Sequence, residues 1–88
     1  MKEFSYIVKN KNGIHARPAG KIVTLAKGYE CSIRIYKEEK EADAKRLLSV
    51  MGLGATKGAE LVFKLEGKDE EKAEAELKKL LQELQSEE

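Results

Sequence analysis

Apolar and polar residues take turns near the start of the chain, where Phe4, Tyr6 and Val8 alternate with Ser5, Ile7 and Lys9. A period of two predicts a strand near residues 3–9. Lys11-Asn12-Gly13 then predicts a loop. From Ala19 the period lengthens. Ala19, Ile22, Val23 and Ala26 follow the i, i+3, i+4, i+7 spacing of an amphipathic helix, with Lys27 suited to its last turn and Gly28 to its C′ position. Cys31, Ile33 and Ile35 alternate with Ser32, Arg34 and Tyr36, a second strand. Lys37-Glu38-Glu39-Lys40 reads as a turn into a short third strand ending near Asp43.

A short helix is expected from about Ala44 to Met51, stopped by Gly52 and Gly54. Leu61, Phe63 and Leu65 alternate with Val62, Lys64 and Glu66 as a fourth strand, which Gly67 breaks. Asp69 suits an N-cap, and Glu70 and Glu71 suit a first helical turn. Ala73, Leu77, Leu80, Leu81 and Leu84 then draw one apolar stripe along a final helix. The predicted order is βαββαβα. Strands with one apolar face and helices with one apolar stripe imply two layers, helices on one side of an antiparallel sheet, which is the α+β class.

Length and composition narrow this picture. Eighty-eight residues hold one small domain, residues 1–88, with one modest core. The single Cys31 excludes a disulfide framework and any multi-cysteine metal site, and the alternation predicts a small buried hydrophobe there. Apolar runs of only a few residues exclude a bilayer span. No apolar segment stands between Met1 and the first strand, so the expectation is a soluble cytoplasmic protein. The formal net charge of +1 hides an asymmetry: residues 1–28 carry +5, residues 29–67 balance, and residues 68–88 carry −4. Such a distribution either steers an anionic ligand or acidic partner or is merely uneven solvation, and charge alone does not choose.

The one histidine sits in the most informative stretch, Asn12-Gly13-Ile14-His15-Ala16-Arg17-Pro18-Ala19, where the first strand hands over to the first helix. Pro18 suits a first helical turn and disfavours helical geometry at Arg17, so the helix is expected to begin about there, with His15 just ahead of it. Ala16 offers no capping oxygen. Backbone donors at Ala16 and Arg17, with the positive end of the helix dipole, make an anion site, and the Arg17 guanidinium adds a fork suited to phosphate oxygens. An imidazole beside a phosphate cradle suits a nucleophile that accepts a phosphoryl group. From these residues alone, a plain surface histidine is an equally available reading.

The short helix after the third strand is unusual on a helical wheel. Ala44, Leu47, Leu48 and Met51 fall on one side, and Val50 with Leu53 falls roughly opposite. Eight residues lying on a sheet cannot bury both sides, so one apolar face is expected at the surface, rimmed by charge, as a protein contact site. Met suits a surface that accepts several partners.

The run GIHARPA, Gly13 to Ala19, strongly resembles the active-centre motif of the histidine-containing phosphocarrier (HPr) family of the phosphoenolpyruvate-dependent sugar phosphotransferase system. The resemblance extends over essentially the whole chain, through Lys45-Arg46-Leu47-Leu48-Ser49-Val50-Met51-Gly52-Leu53-Gly54. It implies an open-faced sandwich of three helices over a four-stranded antiparallel sheet in order 1-4-2-3. It implies that His15 takes a phosphoryl group on Nδ1 from phospho-enzyme I and passes it to IIA domains of sugar permeases, with Arg17 helping to hold it. Leu47, Leu48 and Met51 become the docking patch, with Val50 and Leu53 inside. In many Gram-positive members a regulatory serine begins this helix; here Arg46 occupies that position and is expected to favour acidic partner surfaces. Ser49 carries no sign of being a substitute.

Such a carrier is not an enzyme in the ordinary sense and calls for no cofactor, metal ion or membrane insertion; it is expected to work as a monomer. Two other classes fit the residues less well. One is a small phosphate hydrolase using Arg17, Asn12 and water, for which no paired base is evident. The other is a nucleic-acid module on the basic first third, for which Phe4 and Tyr6 form no evident stacking platform. A paralogue in a regulatory or nitrogen-linked phosphorelay would share the same active-centre residues. Gly52-Leu53-Gly54 follows a helix and precedes a strand, the wrong setting for a phosphate-binding glycine loop.

Overall fold

The computed structural model describes residues 1–85. Its elements are β1 (Lys2–Ile7), α1 (Ala16–Lys27), β2 (Ser32–Lys37), β3 (Lys40–Asp43), α2 (Leu47–Met51), β4 (Glu60–Glu66) and α3 (Glu70–Gln85). The four strands form one antiparallel sheet in the order β1-β4-β2-β3. Both the predicted sequence of elements and the strand order implied by the family resemblance are observed.

Alternation along each strand sends one set of side chains to the helices and the other to solvent. Tyr6 of β1, Leu61, Phe63 and Leu65 of β4, and Ile33 and Ile35 of β2 are buried together on the covered face. Register brings Phe4 opposite Phe63 and Phe63 opposite Ile35. The rings of Phe4 and Phe63 stack with centroids 5.0 Å apart. Against this face α1 buries Pro18, Ala19, Ile22, Val23 and Ala26, and α3 buries Ala73, Leu77, Leu81 and Leu84. Leu80 is only partly buried at the edge of that stripe.

Several boundaries differ from the sequence reading, each for a local reason. β1 ends at Ile7, and Val8 leaves the ladder to exchange hydrogen bonds with the loop before β4: its amide donates to the Ala59 carbonyl and its carbonyl accepts from the Gly58 amide. α1 starts at Ala16, so Arg17 is helical although it precedes proline. Burial of Pro18 and the Ala19 amide's bond to the His15 carbonyl (2.9 Å) outweigh the local bias. Gly28 closes α1 in right-handed geometry, φ −79°, rather than the left-handed conformation of a glycine C′. The second helix is five residues, not eight. Ala44 is buried ahead of it with its amide bonded to the Ile33 carbonyl, and Asp43 turns the chain by accepting the Lys45 amide.

Asp69 was expected to cap its own helix, but its carboxylate reaches across to the α1–β2 connection. It accepts the amides of Glu30 (2.8 Å) and Cys31 (2.9 Å) and so ties the start of α3 to the start of β2. The close approach requires Gly67, φ +151°, because a Cβ there would meet the Cys31 Cα at 2.7 Å. Cys31 is buried, and burial together with Asp69 pushes its thiol up to about 11, which leaves it an inert packing group. The Glu30 amide, followed by other donors around the carboxylate, holds Asp69 below its ordinary pKa of 3.8. A lowered folded pKa adds stability above the unfolded value and loses it as pH falls through the folded one. Asp69→Asn is therefore expected to lower the thermal midpoint at pH 7, and the gap to the parent is expected to close below about pH 4. Thermal unfolding of both proteins across pH 2–7 checks this; a constant gap contradicts it.

Candidate functional site

The loop from β1 to α1 delivers His15 to the N-cap position of α1, with φ −89° and ψ −165°. His15, Ala16 and Arg17 are all exposed, while Ile14 before them and Pro18 after them are buried. The exposed triplet is thus anchored at both ends by apolar contacts. Among the described residues no side chain caps α1, and no acidic residue stands in its first turn. In a helix the first amides lack a carbonyl four residues back, and Pro18 has no N–H at all. The amides of Ala16 and Arg17 are the donors this leaves at the positive end of α1, beside the His15 ring. Among the described residues Arg17 forms no ion pair, so its guanidinium is not committed to a carboxylate.

Gly13 makes this placement possible. Its φ is +69°, and a Cβ there would meet the Ala55 carbonyl oxygen at 2.4 Å. The next amide, that of Ile14, donates to that same oxygen at 2.8 Å. The segment after α2 is thereby stapled to the loop that carries His15.

The same staple fixes how α2 lies. Lys27 at the far end of α1 shares one concavity with Lys45, Arg46, Leu47, Leu48 and Ser49. Ala55, just beyond α2, touches the His15 end. The stretch from Arg46 to Ala55 therefore runs back along α1, whose twelve residues span about 18 Å. Leu48 is 83% exposed, Leu47 41% and Met51 37%, whereas Val50 (1%) and Leu53 (2%) are buried. One apolar face of α2 is at the surface, as the wheel required, and it is the face holding Leu47, Leu48 and Met51. Arg46 is exposed at the opposite end of this patch from His15. Arg46 and Lys27 form no ion pair among the described residues, and the Lys45 ammonium donates to the Tyr29 carbonyl at 2.8 Å. A cationic rim thus borders the patch.

Three contributors escaped the sequence reading. Lys27 was legible only as a helix-end charge, and its company with Arg46 exists only in the tertiary fold. Ala55 acts through its carbonyl, which no side-chain pattern reports. Asn10 stands in a polar string but is buried. Among the described residues, no cluster of His, Cys, Asp or Glu has the grouping needed to hold a metal ion, and no helix is long and apolar enough to cross a membrane.

Residues 2–83 match the family described as the PTS HPr component phosphorylation site. The chain is 39% identical over 84 residues to phosphocarrier protein HPr of Lysinibacillus sphaericus, covering 96% of each. It superposes on the crystal structure of HPr-C-His from Thermoanaerobacter tengcongensis with a TM-score of 0.92, at 38% identity, over 100% of this chain and 99% of that one. A crystal structure of an HPr dimer from the same organism gives a TM-score of 0.77 at 37% identity, covering 99% of this chain and 100% of that one.

Gly13→Ala is expected to destabilise the fold by about 1–3 kcal/mol, since it combines a left-handed backbone with a clash against Ala55. In a chain of this size each kcal/mol lowers the thermal midpoint by roughly 4–8 °C. Calorimetry checks the drop, and an unchanged midpoint contradicts the staple.

Proposed function

The chain belongs to the HPr phosphocarriers of the phosphotransferase system, and from that premise we propose that His15 accepts a phosphoryl group from phospho-enzyme I and hands it to IIA domains of sugar permeases. The observation that carries this reading is an exposed histidine at the uncapped, positive end of α1.

The Nδ1 lone pair of His15 attacks phosphorus. The N–P bond forms as the bond from phosphorus to the donor atom breaks, and that bond's electron pair stays with the donor. The transferred group brings nearly two negative charges and three acceptor oxygens. The Ala16 and Arg17 amides and the Arg17 guanidinium supply donors of matching charge, each charge-assisted bond being stronger than a neutral one. Onward transfer repeats the exchange with the IIA nucleophile attacking and the Nδ1 lone pair restored. Holding must stay modest, because uniform stabilisation of the phosphorylated state would slow its departure. A shallow, solvent-open site with two amides and one guanidinium meets that demand.

Leu47, Leu48 and Met51 serve both partners as the docking patch, and Arg46 with Lys27 extends it toward acidic surfaces. His15, Arg17 and the patch all lie on one chain, so the working unit is the monomer, acting in the cytoplasm. Arg46 also removes the hydroxyl that a serine kinase would modify at that position.

Incubation with phosphoenolpyruvate and enzyme I is expected to add one phosphoryl group, labile in acid and stable in alkali, that His15→Ala abolishes. Intact-protein mass spectrometry reads this, and a modification surviving in His15→Ala contradicts it. Arg46→Glu is expected to slow transfer from enzyme I by a factor of about ten at low salt, the lower end of what steering supplies, with the gap narrowing as salt rises. Equal rates at every ionic strength contradict the role given to Arg46.

A further inference from the structure

Lys9-Asn10-Lys11-Asn12-Gly13 is a polar loop, and four of its residues follow simple expectation: Lys9, Lys11 and Asn12 are exposed, and Gly13 makes the turn. Asn10 does not. It is 4% exposed, the one buried polar side chain among the described residues. Burying an amide costs about 1–3 kcal/mol for each polar atom left without a partner. Here the cost is only half offset. The Asn10 Nδ2 donates to the Gly13 carbonyl at 2.6 Å, while Oδ1 is buried with no partner among the described residues. For stability alone, an apolar residue of similar size serves such a position better than a half-satisfied amide.

The bond that Asn10 does make falls on a particular peptide unit. The Gly13 carbonyl and the Ile14 N–H are two ends of one planar group. Asn10 grips the oxygen end, and the Ala55 carbonyl grips the hydrogen end at 2.8 Å. The Gly13 amide also donates to the Asn10 carbonyl at 3.1 Å, closing a ring over residues 10–13. A planar group clamped at both ends cannot rotate about its flanking bonds. Those bonds, the Gly13 ψ and Ile14 φ torsions, set the direction in which the chain enters Ile14 and His15. The side-chain orientation of Asn10 is set by the same contact, since a flipped amide would put Oδ1 against the Gly13 oxygen.

We propose that Asn10 is a positioning residue that holds the Gly13–Ile14 peptide so that the His15 ring meets the phosphoryl donor in line. This rests on the phosphocarrier reading above and concerns the turnover step rather than docking, because the docking patch stands on α2. Displacement of a reacting atom by about 1 Å costs up to a hundredfold in rate, so loosening one end of the clamp is expected to cost on the order of tenfold.

The test measures kcat and KM for phosphorylation by enzyme I in the parent, Asn10→Ala, Asn10→Asp and a control, Leu65→Ala, which destabilises the core at the Lys2 end of β4, the opposite end of the sheet from the loop. The expected result is a drop of about tenfold in kcat at unchanged KM for both Asn10 variants, and parent kinetics for Leu65→Ala at temperatures where it is folded. Asn10→Asp keeps the shape but turns an acceptor toward the Gly13 oxygen, so it is expected to be at least as slow as Asn10→Ala. Unchanged kcat, a change confined to KM, or an equal loss in Leu65→Ala overturns the proposal. Should neither Asn10 variant fold, hydrogen exchange of the Asn10 side-chain amide in the parent decides: slow exchange of one Nδ2 proton supports the clamp, and free exchange of both overturns it. A parent chain that takes no phosphoryl group on His15 overturns the phosphocarrier reading together with this one. A phosphorylated parent with indifferent Asn10 variants overturns this one alone.

Discussion

One hydrogen bond joins the two halves of the site: the Ile14 amide to the Ala55 carbonyl, 2.8 Å. It forms because Gly13 lacks a Cβ and adopts a left-handed backbone, letting two loops distant in sequence touch. Through it the start of α1 and the end of α2 occupy fixed relative positions. An exposed histidine and an exposed apolar patch then share a surface. Without that contact the β1–α1 loop would be a polar connection with ordinary loop freedom. The sheet and α3 provide the rigid backing, through the apolar alternation of β1, β4 and β2 and through Asp69, which pins the other end of the helical layer.

In the proposed function, binding and chemistry fall on different parts of this surface. The uncapped start of α1 and the Arg17 guanidinium, which forms no ion pair among the described residues, stand with His15, whereas apolar area and the Arg46–Lys27 rim lie further along α2 and at the far end of α1. This separation suits a carrier that meets one partner to load and another to unload, with the affinity for protein and the affinity for phosphoryl adjustable independently. The composition is uneven along the chain: basic residues dominate the first third, where the site stands, and acidic ones dominate residues 68–88.

Much of this was legible in the chain, and the illegible parts share a cause. Periodicity reported which face of each strand and helix is apolar, so the order of elements and the burial of Phe63, Ile35, Ile22 and Leu81 followed. The crowded wheel of α2 foretold an exposed patch, because too few residues carried too many apolar faces. The strand order 1-4-2-3 came from the family resemblance. Periodicity could not report which distant backbone groups meet. The Asp69 carboxylate looked like a local cap and proved to bridge two loops; Ala44 looked helical and proved to extend a strand's bonding; Asn10 looked solvated and proved buried. The helix start was legible to within a residue: Pro18 stands in the first turn and His15 just ahead of it, although Arg17 is helical despite preceding proline.

The central claim is that the amides of Ala16 and Arg17 and the Arg17 side chain receive the phosphoryl group carried by His15. Heteronuclear NMR of the chain before and after phosphorylation tests it most directly. The account predicts that the largest downfield displacements fall on the Ala16 and Arg17 amide protons, with the Arg17 side-chain signals moving and the sheet unchanged. Displacements confined to the imidazole ring, or centred on another helix terminus, would contradict it.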